Sequence, residues 1–269
     1  MRYSMMSYTM ARRPELFNLE AMLRLTRELD LAGIDFVTLH GRTADELRRI
    51  ADDHGVPVIA YTFMAQGLTS PDAAERRQAV AAARRELDNA RVLGAPVVMI
   101  VPVPPAGQDA STARAYWIRG LREFMPPAGG DGPAVTVENF PGCNSPFVTA
   151  ADFLEARREI PGLMLTYDNG NAASGEDPEE SCRRCAPYIV HAHFKDWVVR
   201  DDAADGYTRM RDGRYYQPAL IGEGVVPQAR CLAALRAAGY TGCINIEYEG
   251  NLYPPAEAVR RAVATLRAL

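Results

Sequence analysis

A single (β/α)8 barrel is the fold that the sequence predicts, on three observations. Short β-branched or apolar runs alternate eight times with Ala-, Arg-, Leu- and Glu-rich stretches of helical period, and Gly or Pro marks most of the joints. Shared among eight units, 269 residues allow about 34 each, close to the roughly 30 that one strand and its crossover helix need. The first strand runs into Ser7-Tyr8-Thr9-Met10, without the glycines that open the phosphate turn of a doubly wound sheet. One domain over residues 1–269 is therefore expected, with an open sheet as the competing architecture.

The strands are read, in order, as Tyr3–Tyr8, Asp35–His40, Pro57–Phe63, Pro96–Val101, Ala134–Asn139, Leu163–Asp168, Ile189–Phe194 and Cys243–Tyr248. Helical periodicity places helices at Glu15–Leu31, Ala44–His54, Asp72–Leu93, Thr112–Met125, Thr149–Ile160, Pro178–Cys185, Gln228–Ala238 and Ala256–Ala268. Gly/Pro/Asp-rich loops at Ala106–Ser111 and Pro126–Pro133 flank the fourth helix. The largest interruption is residues 197–220, after the seventh strand. It carries Trp197, Tyr207, Tyr215 and Tyr216 among four arginines. Long loops are functional or disordered, and aromatic content favours order, so this insertion is expected to be a lid over the site.

Composition removes several function classes. Thirty basic against 34 acidic side chains give a formal net charge of −4, which provides no basic stripe for phosphate backbones, so no nucleic-acid partner is expected. The apolar run from Ala95 to Ala106 is broken by prolines and falls short of the roughly 20 residues that span a bilayer. No secretory h-region is visible in Met1–Met10, and five cysteines do not make a disulfide framework. A cytoplasmic protein without a membrane partner is expected. Cys182-Arg183-Arg184-Cys185 has no second ligand pair at zinc-finger distance and is assigned to a helix.

Glu138, Asp168, His193 and Glu247 stand at the C-terminal ends of four consecutive predicted strands, where barrel enzymes keep their active sites. Strand alternation turns Val135 and Val137 towards the helices and leaves Thr136 and Glu138 on the barrel axis; Thr166 with Asp168, His191 with His193, and Asn245 with Glu247 follow the same parity. Three carboxylates and an imidazole on one axis repel unless a cation joins them. The oxygen-rich set with one nitrogen suits one divalent metal ion, Mn²⁺, Mg²⁺, Co²⁺ or Zn²⁺.

The chain resembles the xylose isomerase-like family of TIM barrels, which holds sugar isomerases, ketose 3-epimerases, dehydratases of inosose and 3-dehydroshikimate, and endonuclease IV. The resemblance rests on Ala90–Ala95, Val137-Glu138-Asn139, Asp168-Asn169-Gly170-Asn171 and His191-Ala192-His193-Phe194-Lys195-Asp196, then on Ile221–Gly224 and Gly239–Glu247. It implies that Glu138, Asp168, His193 and Glu247 bind one divalent metal and that the two glutamates exchange the substrate proton. Many members carry His where Asn171 stands, and an Asn cannot shuttle protons near neutrality. Endonuclease IV needs more histidines than the four present, of which His54 reads as a helix end.

The expected activity is a metal-dependent isomerase or epimerase on a small polyhydroxy ketone or aldehyde, such as a sugar or cyclitol. Glu138 and Glu247 act as bases on opposite faces of an enediolate. A dehydratase or lyase on a keto-sugar, inosose or dehydroshikimate-like substrate is the alternative, and an inert sugar-binding barrel is a third reading. Substrate contacts are assigned to His40, at an inward-facing strand end, to Asn171 and to Lys195, which otherwise pairs with Asp196 or Asp168. His191 reads as a supporting or core residue below His193, and Gly222–Gly224 as a tight connection rather than a phosphate cradle. The reading leaves room for a homo-oligomer.

Overall fold

A computed structural model describes residues 1–126 and 130–269; residues 127–129, within the expected Pro126–Pro133 loop, lie outside the described residues. Eleven strands follow one another: β1 (Arg2–Met6), β2 (Gly33–Val37), β3 (Val58–Phe63), β4 (Val97–Ile100), β5 (Ala134–Glu138), β6 (Met164–Asp168), β7 (Ile189–Phe194), β8 (Asp196–Arg200), β9 (Thr208–Arg209), β10 (Tyr215–Ala219) and β11 (Cys243–Ile246). Eight of them, β1 to β7 and β11, close a parallel barrel in the order β1-β11-β7-β6-β5-β4-β3-β2. The fold is thus a (β/α)8 barrel.

The helices are α1 (Ser7–Ala11), α2 (Leu19–Glu28), α3 (Ala44–Asp53), α4 (Ala73–Leu93), α5 (Ala110–Phe124), α6 (Ala150–Glu159), α7 (Asn169–Ala173), α8 (Pro178–Cys185), α9 (Gln228–Ala237) and α10 (Pro255–Arg267). Their starts are chemically marked. Thr43 and Glu46 form a reciprocal capping box, as do Thr149 and Asp152, and Asp72 and Asp109 each accept two backbone N–H groups. Every second barrel residue faces the helices and joins one hydrophobic core, as Ile34 and Phe36, Val98 and Ile100, and Val135 and Val137 do. The residues between them are left for the axis.

Two strand ends fall short of the sequence reading. The first strand stops at Met6 because the Ser7 hydroxyl takes the Val37 N–H at 2.8 Å, and the chain turns into α1. The second stops at Val37. Thr38, His40 and Gly41 all have positive φ, which turns the chain out of the sheet before His40. His40 therefore lies in a turn and is not an inward-facing strand residue.

Residues 197–220 depart from the expected loop more fully. From Asp196 to Ala219 they form a three-stranded antiparallel sheet in the order β8-β10-β9. Trp197, Met210, Tyr216 and Val226 give it a small core of its own. It is tied to the barrel mouth at several points: the Asp212 N–H donates to Ser174 O (3.1 Å), the Tyr216 hydroxyl to Ala173 O (3.2 Å), and the Cys143 thiol to Met210 O (3.2 Å).

No helix among the described residues is long and apolar enough to cross a membrane.

Candidate metal centre and active site

The inward-facing parity holds. Thr136 Oγ1 and Thr166 Oγ1 meet across neighbouring strands at 2.7 Å, one layer below Glu138 and Asp168. In the layer above, Glu138, Asp168, His193 and Glu247 each place one oxygen or nitrogen within 4.8 Å of the others, and all four are buried. His193 Nδ1 lies 2.7 Å from Glu138 Oε1 and 3.5 Å from Glu247 Oε2. Lys195 reaches in from the end of β7, its Nζ 3.2 Å from Glu247 Oε2, 3.3 Å from Glu249 Oε2 and 3.6 Å from Asp168 Oδ2.

Side-chain amides continue the sheet beyond its last backbone bonds and so fix these groups. The Asn139 amide donates to Asp168 O (2.7 Å) and accepts from the Asp168 N–H (2.8 Å), which locks the end of β6 against β5. One strand further, Asn169 Oδ1 accepts from the Lys195 N–H (3.0 Å), and Gln228 donates to Lys195 O (2.9 Å) while accepting from the Asn169 amide (2.7 Å). Gly170 has no substitute here. A Cβ on it would lie 2.4 Å from Lys195 Cγ, so the glycine makes room for the lysine stem.

Strand alternation sends Asp196 to the opposite face from Lys195. Its carboxylate accepts the backbone N–H groups of Gly222 (2.9 Å), Gly224 (3.1 Å) and Val226 (2.9 Å). The Gly222–Gly224 turn is thus filled by a carboxylate of the chain itself and is a tight connection, as its sequence suggests. The Lys195–Asp196 ion pair considered from sequence is absent, and Asp168, Glu247 and Glu249 take its place.

The electrostatics call for more positive charge. Burial pushes the Asp168 carboxyl well above the usual carboxylate range; Lys195 pulls it down, but the charges of Glu138 and Glu247 add to the rise. Glu247 is driven up by burial too, yet Lys195 and His193 outweigh that and hold it at about 2. Burial disfavours the His193 imidazolium, but its hydrogen bonds to Glu138 and Glu247 more than reverse this. Asp168 Oδ2 and Glu247 Oε2 are buried without a hydrogen-bond partner. Unpaired buried carboxylate oxygens are costly, and three carboxylates, one imidazole and two orphaned oxygens together fit a hard or borderline dication.

Other assigned residues are also accounted for. Asn171 is fully buried on α7, behind Asp168, with both atoms of its side-chain amide unpaired. His40 is half-buried, bonded through Nε2 to Ser7 Oγ (2.9 Å) and packed against the Phe17 ring. His191 sits edge-on to His193, ring centres 5.1 Å apart, and its Nε2 lies 2.5 Å from Asp35 Oδ2. His54 ends α3 as read. Cys182 and Cys185 are buried on α8, and burial pushes both thiols up to about 12, far from thiolate chemistry.

Sequence reasoning passes over Asp35 and Glu249. Asp35 lies in the lower layer on β2, and Glu249 shares the parity of Glu247 and meets Lys195. The available signal for both is a single charge inside an apolar strand or two residues beyond a functional one.

Above the cluster opens a cavity of about 210 Å³. Glu138 and Glu247 line it, together with Glu249, whereas Asp168 and His193 lie behind them.

Comparison with known proteins agrees with this architecture. The family described as xylose isomerase-like TIM barrel matches residues 23–269. Probable endonuclease 4 of Nitratidesulfovibrio vulgaris is 23% identical over 184 residues, 62% of this chain and 65% of that protein, so the match spans less than two thirds of the relative. Among solved structures, protein SMc04130 of Sinorhizobium meliloti 1021 has a TM-score of 0.81 at 18% identity, covering 99% of this chain and 97% of the other. D-psicose 3-epimerase of Clostridium cellulolyticum H10, solved with D-tagatose, has a TM-score of 0.78 at 14% identity, covering 100% and 99%. At these identities the structures share the fold alone.

Proposed function

The chain belongs to the xylose isomerase-like TIM barrel family, and within it we propose a divalent-metal-dependent isomerase or epimerase that moves a proton next to the carbonyl of a sugar-like hydroxyketone or hydroxyaldehyde. The observation that carries this reading is the division of the cluster: two glutamates face the cavity while Asp168 and His193 support them from behind. Glu138, Asp168, His193 and Glu247 would hold the metal. When bound, it supplies Lewis-acid polarisation of the substrate carbonyl, which acidifies the neighbouring C–H.

The chain's own residues do the rest. Glu138 and Glu247 flank His193 on either side, so one carboxylate can take the proton and the other return it. Lys195, paired with Glu247 and Glu249 and raised well above its ordinary pKa by them and Asp168 despite burial, keeps its ammonium charge near the substrate oxygens. That ammonium favours a second reading. It can protonate a departing hydroxyl, which would turn the same enolate chemistry into a dehydration.

One experiment separates the readings. Metal-loaded protein in D2O should place deuterium on the carbon beside the carbonyl of a ketose. Product without loss of water marks the isomerase, and loss of water marks the dehydratase. Binding with no exchange would remove both and leave a sugar-binding barrel.

The sheet from Asp196 to Ala219 is proposed to close one side of the substrate cavity, since Trp197 lies 5.6 Å from Lys195 Nζ. Replacing residues 201–214 with a short Gly/Ser turn should lower kcat/KM while the barrel keeps its melting temperature. Unchanged kinetic constants would make the sheet a surface ornament.

A further inference from the structure

The barrel mouth is divided by polarity. On one half, the strand-end residues facing the axis are Glu138, Asp168, His193 and Glu247, from β5, β6, β7 and β11. On the other half, β1 to β4 offer Met6, Val37, Thr62 and Met99, joined by Val101 just beyond β4. Among these five only Thr62 carries a polar side chain. Phe140 continues the apolar wall, and Tyr8 adds one phenol at the rim.

The wall does not stop at the cavity. Met64 and Val103 on its rim are 48% and 42% exposed, large apolar groups left in water at a site entrance. Together with Val101 they also line an adjoining groove of about 270 Å³ that runs over Pro104 and Pro105 to Trp117. Within that groove the Trp117 indole N–H is spent on Val103 O at 3.0 Å.

A free polyol held at the carboxylate half would turn its remaining hydroxyls towards this wall. The Thr62 and Tyr8 hydroxyls could satisfy two of them. Each further hydroxyl left without a partner weakens binding by about 5- to 150-fold, whereas each methylene placed there strengthens it about fourfold. The same apolar wall thus penalises one kind of ligand and rewards the other.

We infer that the substrate is amphiphilic: a hydroxyketone or hydroxyaldehyde head that meets Glu138 and Glu247, with an alkyl or aryl arm that lies on Met6, Val37, Met99 and Val101 and extends towards Met64 and Val103. This rests on the proton-transfer reading for the head and is independent of it for the arm.

A matched pair of probes tests it with the Mn²⁺-supplied protein. D-Fructose and 1-hydroxyhexan-2-one share the head and the chain length and differ only in the hydroxyls along the arm. Titration calorimetry should give 1-hydroxyhexan-2-one a dissociation constant at least tenfold lower, and NMR in D2O should show exchange beside its carbonyl. Met99→Gln, and at the less enclosed position Val101→Asn, should narrow that ratio without lowering the melting temperature.

Equal or tighter binding of D-fructose, with exchange present, would overturn the apolar arm and leave proton transfer standing. Preference for 1-hydroxyhexan-2-one with exchange of neither probe would overturn proton transfer and uphold the arm. A ratio unmoved by both substitutions would also overturn the arm, since the preference would then come from elsewhere.

Discussion

Glu247→Gln should abolish most proton exchange while the protein keeps much of its metal. The amide retains a carbonyl oxygen in place of Glu247 Oε2, the atom now buried without a hydrogen-bond partner, but it has no basic carboxylate. General-base contributions are on the order of 10²–10⁴-fold, and the loss in exchange rate should fall in that range or beyond. Glu138→Gln should behave alike, because Glu138 also faces the cavity and lies 2.7 Å from His193 Nδ1. Deuterium exchange followed beside elemental analysis of the same samples checks both variants. If added metal restores both to near wild-type turnover, the glutamates are ligands only, and Lys195, 3.2 Å from Glu247, becomes the first alternative base.

Asp168→Asn and His193→Ala should fail differently, through metal affinity. Neither residue lines the cavity, so neither is placed to touch the substrate carbon. Substituting even a residue that only orients a metal ligand costs about 10–100-fold in affinity or activity, and removal of a ligand should cost at least as much. Asp168→Asn should therefore lose activity at limiting metal and regain part of it in excess. His193→Ala should be purified with much less metal than the wild type. Undiminished metal content in His193→Ala would take the histidine out of the centre.

The sequence makes the barrel and its four-residue cluster readable for the same reason. Strand alternation and unit spacing are local, so the parity that sends Val135 and Val137 into the helical layer also puts Glu138 on the axis. Features set by tertiary contacts escape. Nothing near Tyr8 ends the first strand; the Ser7 hydroxyl does so by bonding to Val37, thirty residues away. His40 looks like a strand end until three positive φ angles turn the chain at Thr38, His40 and Gly41, two of them at residues that rarely adopt them.

The sheet from Asp196 to Ala219 hides for another reason. Arg200, Asp201, Asp202 and Asp205 between its strands give the composition of a solvated loop, while the pairing of Tyr216 with Val199 is visible only once the strands meet. Lys195 illustrates the reverse case. Adjacency suggests Asp196 as its partner, but neighbours on a strand point to opposite faces, and the lysine joins Asp168, Glu247 and Glu249 instead.

The most direct test of the central claim is anomalous diffraction from crystals grown with Mn²⁺. The account predicts one strong peak within bonding distance of Glu138, Asp168, His193 Nδ1 and Glu247, below the cavity that Glu138 and Glu247 line. A strong peak at other residues, or none at these four with Lys195 still holding Asp168 and Glu247, would contradict it.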